Sequence, residues 1–98
     1  MSLLDELKTL NEEELEIAKR LLELKDVKGY LVLKQIPREN KTYYYWYLRW
    51  YEGGKVHERR VYSKEEVKRK LEEKKMLKQR LREIQEERKK IIAQLLMI

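Results

Sequence analysis

The sequence predicts an α+β protein: an N-terminal helix, a three-stranded antiparallel β-meander and a long C-terminal helix. Three observations carry this expectation. Thr42 to Tyr51 holds five of the seven tyrosines and both tryptophans, and aromatic and β-branched residues fit a pleated, half-buried strand. Gly53-Gly54 follows at once, and two residues that accept positive φ are what a tight hairpin turn requires. From Lys64 to about Met97 neither glycine nor proline interrupts a chain rich in helix formers.

Ser2 is placed to cap the first helix, with Asp5 and Glu6 in its first turn. Asn11-Glu-Glu-Glu14 is a second start signal, so Ser2 to Lys25 reads as one helix or as two with a break near Leu10-Asn11. Leu15, Ile17, Ala18, Leu21, Leu22 and Leu24 form a wide apolar stripe, and Gly29 suits the break that follows. Tyr30 to Ile36 alternates as a first strand, and Pro37-Arg-Glu-Asn40 reads as a turn with Asn40 able to take a left-handed position.

The central strand has two unlike faces, because side chains alternate. Tyr44, Trp46, Leu48 and Trp50 make the more apolar one, expected to face the core. Tyr43, Tyr45, Tyr47, Arg49 and Tyr51 make the other. With Gly53-Gly54 as the whole loop, Glu52 pairs with Lys55, Arg49 with Glu58, Tyr47 with Arg60 and Tyr45 with Tyr62. That register sets an opposite-charge pair and a Tyr47–Arg60 cation–π contact. A one-residue slip would exchange the faces.

Ser63-Lys-Glu-Glu66 is a capping box that opens the last helix. At ~1.5 Å per residue the helix is a rod of ~50 Å. Heptad spacing picks out Leu77, Leu81, Ile84, Arg88, Ile91, Leu95 and Ile98, a coiled-coil-like seam with one charge in it. Such a seam needs a partner: the acidic N-terminal helix, a second copy, or both. A homodimer through these residues is the expectation. The chain reads as a single domain, 1–98, with an acidic helical region 1–27, a β-meander 28–62 and a long basic helix 63–98. Its core is expected to join Leu15, Ala18, Leu22, Leu31, Leu33, Trp46, Leu48, Val61, Val67 and Leu71.

Charge is uneven. Residues 1–27 carry −4, residues 28–63 carry +5 and residues 64–98 carry +5, within a formal net charge of +6. A basic surface attracts polyanions, nucleic acid first among them. Charged residues are 43% of the chain, against six Asn and Gln in all, a pattern that resembles thermophile proteins. With no cysteine there is neither a disulfide nor a thiolate metal site, and a cytoplasmic location is expected. The start, Met-Ser-Leu-Leu-Asp-Glu, lacks a basic region before an apolar run, so no signal peptide is expected. No apolar stretch approaches the ~20 residues of a membrane span.

Nothing in the residues points to an enzyme, a cofactor or a small-molecule substrate. His57 is the only histidine, and Asp5 and Asp26 are the only aspartates, so no metal-ligand cluster is expected. Ser2 and Ser63 read as caps rather than nucleophiles. The paired glutamates of the helices lie among lysines and read as solvated i,i+4 pairs. Binding is the better expectation. Rings on a sheet can stack bases, and nearby cations neutralise phosphates. Tyr43, Tyr45, Tyr47, Arg49, Lys55, Arg59 and Arg60 form that constellation, with DNA or RNA as the partner. Lys68 and Arg69 belong to a second basic surface on the last helix. The competing reading is that both sheet faces are covered, the tyrosines serving packing, and that the protein is an interaction or self-assembly module built on the helical seam.

The run Gly29-Tyr-Leu, then Tyr43-Tyr-Tyr-Trp-Tyr-Leu-Arg-Trp-Tyr-Glu-Gly-Gly-Lys55, then Arg59-Arg-Val-Tyr62 and a long charged helix, resembles a family of small proteins of bacteria, archaea and their mobile elements. That family shares a Tyr-Tyr-x-Leu-x-aromatic-x-Glu-Gly-Gly-Lys hairpin and is a domain of unknown function. The resemblance covers roughly residues 21 to 88 and implies an archaeal, viral or plasmid origin and nucleic-acid binding, DNA above all. Members often carry two cysteines and a Gly-Pro before the tyrosines. This chain has neither, so no metal role carries over. The strand–turn–strand–helix order also looks like the arm-binding domains of phage-type integrases, whose three-stranded sheet enters a DNA groove, at the level of fold.

Overall fold

The computed structural model describes residues 2–98. The chain forms α1 (Leu3–Glu23), β1 (Tyr30–Arg38), β2 (Lys41–Glu52), β3 (Lys55–Val61) and α2 (Lys64–Leu96). The strands make one antiparallel sheet in the order β1-β2-β3. The α+β meander expected from the sequence is therefore the fold. Contacts group the chain into two compact units. One is Lys25–Glu72, the sheet with the first turns of α2. The other joins Met1–Leu24 to Glu73–Ile98, a pair of helices.

In the helical unit α1 is one unbroken helix. The Ser2 hydroxyl accepts from the Asp5 backbone N–H at 3.1 Å, as its capping position requires. Asn11 does not break the helix. Its propensity cost is only a few tenths of a kcal/mol, and continuity keeps Leu10 and Ile17 on one face. Those two residues and Ile84 are buried, with Leu21, Leu77, Leu81 and Ile91 packed against them. On α1 the seam is Leu10, Glu14, Ile17 and Leu21, again at heptad spacing, and Leu24 at the C-cap continues the spacing. Burying a side chain such as Ile84 stabilises by about 1.5–3 kcal/mol. Arg20 meets Glu73 near one end, and Arg88 meets Glu14 in mid-seam, so the helices run antiparallel.

This packing revises two expectations. Leu15 and Leu22 are 57% and 67% exposed, and Ala18 is exposed too, so the α1 residues assigned to the core lie outside it. The actual seam is rotated by one helical position, because Leu10, Ile17, Leu21 and Leu24 match the heptad of α2. The expected dimer seam is also largely spent within the chain: Leu77, Leu81, Ile84 and Ile91 pack against the α1 cluster. Arg88, the one charge in that seam, pairs with Glu14 of its own chain.

In the sheet unit both hairpins have two-residue turns. Gly53 and Gly54 take φ of 60° and 74°, the mirror-image turn that matches strand twist. The register is the expected one: Glu52 opposite Lys55, Arg49 opposite Glu58 and Tyr47 opposite Arg60. The first turn is shorter than the sequence suggested. β1 continues through Pro37 and Arg38, with Pro37 opposite Thr42. An edge strand tolerates a residue without an N–H. The left-handed position falls on Glu39, φ 52°, rather than on Asn40. Leu31 and Leu33 stand opposite Leu48 and Trp46, on the face expected to be the core. That core is narrower than expected: Leu48 has no exposed surface, but Leu33 is 49% exposed.

Gly29 opens β1 at φ 91°, and a Cβ there would stand 1.9 Å from the Arg49 carbonyl oxygen. No side-chain rotation relieves a clash with backbone. Gly29→Ala should therefore cost about 3 kcal/mol or more in urea unfolding, from strain and overlap together. Gly54→Ala, which meets nothing within 4 Å, should cost only its positive φ, about 1 kcal/mol.

Candidate nucleic-acid interface

Strand alternation and the observed register gather one set of side chains on one face. β1 gives Tyr30, Val32, Lys34, Ile36 and Arg38. β2 gives Lys41, Tyr43, Tyr45, Tyr47, Arg49 and Tyr51, and β3 gives Val56, Glu58 and Arg60. These side chains find partners within the sheet. Arg60 lies over the Tyr45 ring at 3.9 Å and the Tyr62 ring at 5.1 Å. The Lys34 ammonium lies 4.8 Å from the Tyr47 centroid. The expected Tyr47–Arg60 contact is thus replaced by two diagonal ones, within reach of long side chains on adjacent strands. Tyr43 and Tyr45 stand as near-parallel plates, centroids 6.3 Å apart and planes 15° apart.

Glu58 is the anion of this face. Lys34 reaches it at 2.7 Å and Arg49 at 3.0 Å. The Lys34 hydrogen bond, and after it the Arg49 one, hold the Glu58 carboxyl below its ordinary pKa. Arg49 is raised, first by its hydrogen bond to Tyr30 and then by Glu58. Arg60 has no carboxylate partner among the described residues. It is held by π faces, and its N–H groups keep hydrogen-bonding capacity.

Of the residues singled out in the sequence, Tyr43, Tyr45, Tyr47, Arg49 and Arg60 share this face. Lys55 and Arg59 do not. They stand opposite Glu52 and Leu48, and parity sends them to the other side of the sheet. Lys68 and Arg69 are exposed on the first turns of α2. Lys34, Tyr30, Arg38 and Lys41 were not singled out. Their places depend on the two-residue Glu39-Asn40 turn, which puts Lys34 opposite Tyr45 and Arg38 opposite Lys41. The tip of this hairpin forms an open groove of about 670 Å³ lined by Arg38, Glu39, Asn40, Lys41, Tyr43 and Tyr45.

The other face carries Trp46 beneath the Lys64 ammonium at 4.4 Å, which puts the start of α2 on that side. Trp50 stacks on His57 at 5.6 Å. Ser63 caps α2 by accepting from the Glu66 N–H at 3.4 Å, while the Glu66 carboxylate pairs with Lys70 at 3.0 Å. A second cleft, lined among others by Arg59, Arg60, Ser63 and Lys70, lies beside this cap.

The two units differ sharply in charge. Lys25–Glu72 holds 13 Lys and Arg against seven Asp and Glu, so it carries +6. The helical unit holds 11 of each and is neutral. Several of its arginines are met by carboxylates: Arg20 chelates Glu73 at 2.7 and 2.8 Å, and Arg80 reaches Glu13, Glu83 and Glu87. The net charge of the protein is the charge of its sheet unit.

Among the described residues no group of three His, Cys, Asp or Glu is placed to hold a metal ion, and no helix is long and apolar enough to cross a membrane. No family model, curated protein or solved structure matches the chain.

The Glu58 network makes a pH prediction. A depressed folded-state pKa contributes stability that is present above the unfolded value, near 4.5, and is lost as pH falls through the folded value. Urea unfolding of the wild type and Glu58→Gln should therefore differ at neutral pH, with the wild type more stable. The difference should shrink as pH falls below the unfolded value and be lost as it passes through the folded one. A gap that stays constant down to pH ~3 would show that the carboxylate contributes nothing through its charge.

Proposed function

We propose that the protein binds nucleic acid, without catalysing a reaction on it, through the tyrosine-lined face of its sheet. The observation that carries this reading is the location of the entire +6 charge on the Lys25–Glu72 unit. Neutral pairing in the helical unit leaves a single basic body, and that body presents π faces and guanidinium groups on one sheet surface. Polyanion binding draws its affinity from phosphate neutralisation and counterion release. Rings beside the cations add stacking area that is indifferent to sequence. Glu58 orders Lys34 and Arg49 on the face, and Arg60, held by rings rather than by a carboxylate, keeps N–H groups that can meet a phosphate.

The reading is tested by binding of labelled DNA and RNA between ~50 and ~200 mM salt. Affinity should fall steeply with salt, and Arg60→Ala should weaken binding and reduce the log–log slope by about one. Absence of binding to any nucleic acid at the low-salt end would refute the reading.

A second reading, self-assembly, is favoured by a different surface. Leu4, Leu15 and Leu22 are 66%, 57% and 67% exposed. With Asn11 and Ala18 they form a second heptad stripe beside the one that α2 covers. Two helical hairpins meeting through this stripe would make a four-helix bundle. The surface for a second copy is then on α1, not the α2 seam spent within the chain. Sedimentation equilibrium should show a dimer at tens of micromolar, converted to monomer by Leu15→Glu with Leu22→Glu. A monomeric wild type would refute it.

A further inference from the structure

We infer that the tip of the β1–β2 hairpin is a slot for an unpaired base, so that the preferred ligand is single-stranded nucleic acid, with the base between the Tyr43 and Tyr45 rings and its flanking phosphates on Arg38 and Lys41. The inference rests on the nucleic-acid reading and assigns its strand form and its site. Three features of the tip converge on it.

The first is the spacing of the rings. Tyr43 and Tyr45 are two residues apart on β2, and their rings stand 15° from parallel with centroids 6.3 Å apart. Stacked bases rise by ~3.4 Å, so a base with a ring on each side needs ~6.8 Å. The centroid separation is about half an ångström short of that, a difference that a small side-chain rotation makes up. The second is the unequal footing of the two walls. Arg60 packs on the Tyr45 ring at 3.9 Å and holds it, while Tyr43 is 41% exposed beside the open groove. One wall is fixed and the other can yield.

The third is charge. Arg38 and Lys41 are direct cross-strand partners at the turn, on the same face as the two rings. Like charges placed directly opposite destabilise a hairpin. Neither has a carboxylate within ion-pair distance among the described residues, in a molecule where Arg20, Arg80, Arg49 and Lys34 all do. A phosphodiester at the tip relieves the repulsion. A duplex cannot use the slot, since its bases are already stacked on their neighbours.

The test measures anisotropy of a short fluorescein-labelled oligothymidylate, a duplex of the same length, and an abasic strand, with thermal melts to confirm that each variant is folded. Tyr43→Ala and Tyr45→Ala should each weaken oligothymidylate binding by about tenfold, within the range of one lost stacking contact. Duplex and abasic-strand affinities should change by less than about twofold, and Tyr43→Phe should bind as the wild type does. Arg38→Gln with Lys41→Gln should reduce the single-strand salt slope by about 1.4, or 0.7 per phosphate contact. Wild-type binding to strand and duplex that Tyr43→Ala and Tyr45→Ala leave unchanged, or weaken equally, would overturn the slot while leaving the nucleic-acid reading in place. Failure of the wild type to bind any of the three probes at low salt would overturn the reading itself.

Discussion

β2 is held between its neighbours in one register, and the chemistry of the sheet depends on it. Two-residue turns at Glu39-Asn40 and Gly53-Gly54 set that register from both sides. Because side chains alternate with a period of two, a slip of one residue would carry Leu48 into solvent and turn Tyr45, Tyr47 and Arg49 inward. The two turns are not equally comfortable. Gly53 and Gly54 take positive φ without a Cβ, whereas Glu39 takes it with one. The tip with the strained residue is also the one that carries Arg38 and Lys41 opposite each other, so local stability and charge both yield at the same end of the sheet.

The helices settle the electrostatics. The first 24 residues are acidic and the last 26 are basic, and their antiparallel pairing cancels the two. Arg20, Arg80 and Arg88 each meet glutamates of α1 or α2. Exposed pairs of this kind contribute little each to stability. Their larger effect is on charge placement, since they leave the sheet unit as the only body with a net charge. The Arg88–Glu14 pair sits in the hydrophobic seam, and Arg88 Nε is buried without a partner among the described residues. A charged pair in a seam costs stability and specifies alignment. Here it ties a polar position of α1 to the matching polar position of α2 between apolar ones.

The tyrosine face is ordered by its own side chains. Lys34 and Arg49 are tied through Glu58, and Arg60 is clasped by Tyr45 and Tyr62. Rings held in place in advance lose little rotamer entropy when a ligand arrives, which favours recognition by stacking over recognition by long flexible cations. The same interactions limit how many cations a polyanion can recruit, because a lysine shared with Glu58 must give up that bond first.

The sequence alone determined the elements, the faces of β2 and the β2–β3 register, because these are set by period-two alternation and by Gly53-Gly54. It also carried the seam of α2, in the heptad from Leu77 to Ile91. Tertiary structure decided the rest. α1 offers two adjacent apolar stripes, and only pairing with α2 selects Leu10, Ile17 and Leu21 over Leu4, Leu15 and Leu22. Composition could not separate them, since both repeat every seven residues. Lys55 and Arg59 sit beside Arg60 in the chain but across the sheet from it, because neighbours in a strand point apart. Arg38 joins the strand face as the partner of Lys41 only because the Pro37–Asn40 stretch turns in two residues rather than four, which also sets Lys34 opposite Tyr45 rather than Tyr43. That choice belongs to the backbone of an edge strand that accommodates Pro37, and the residues themselves allowed either length.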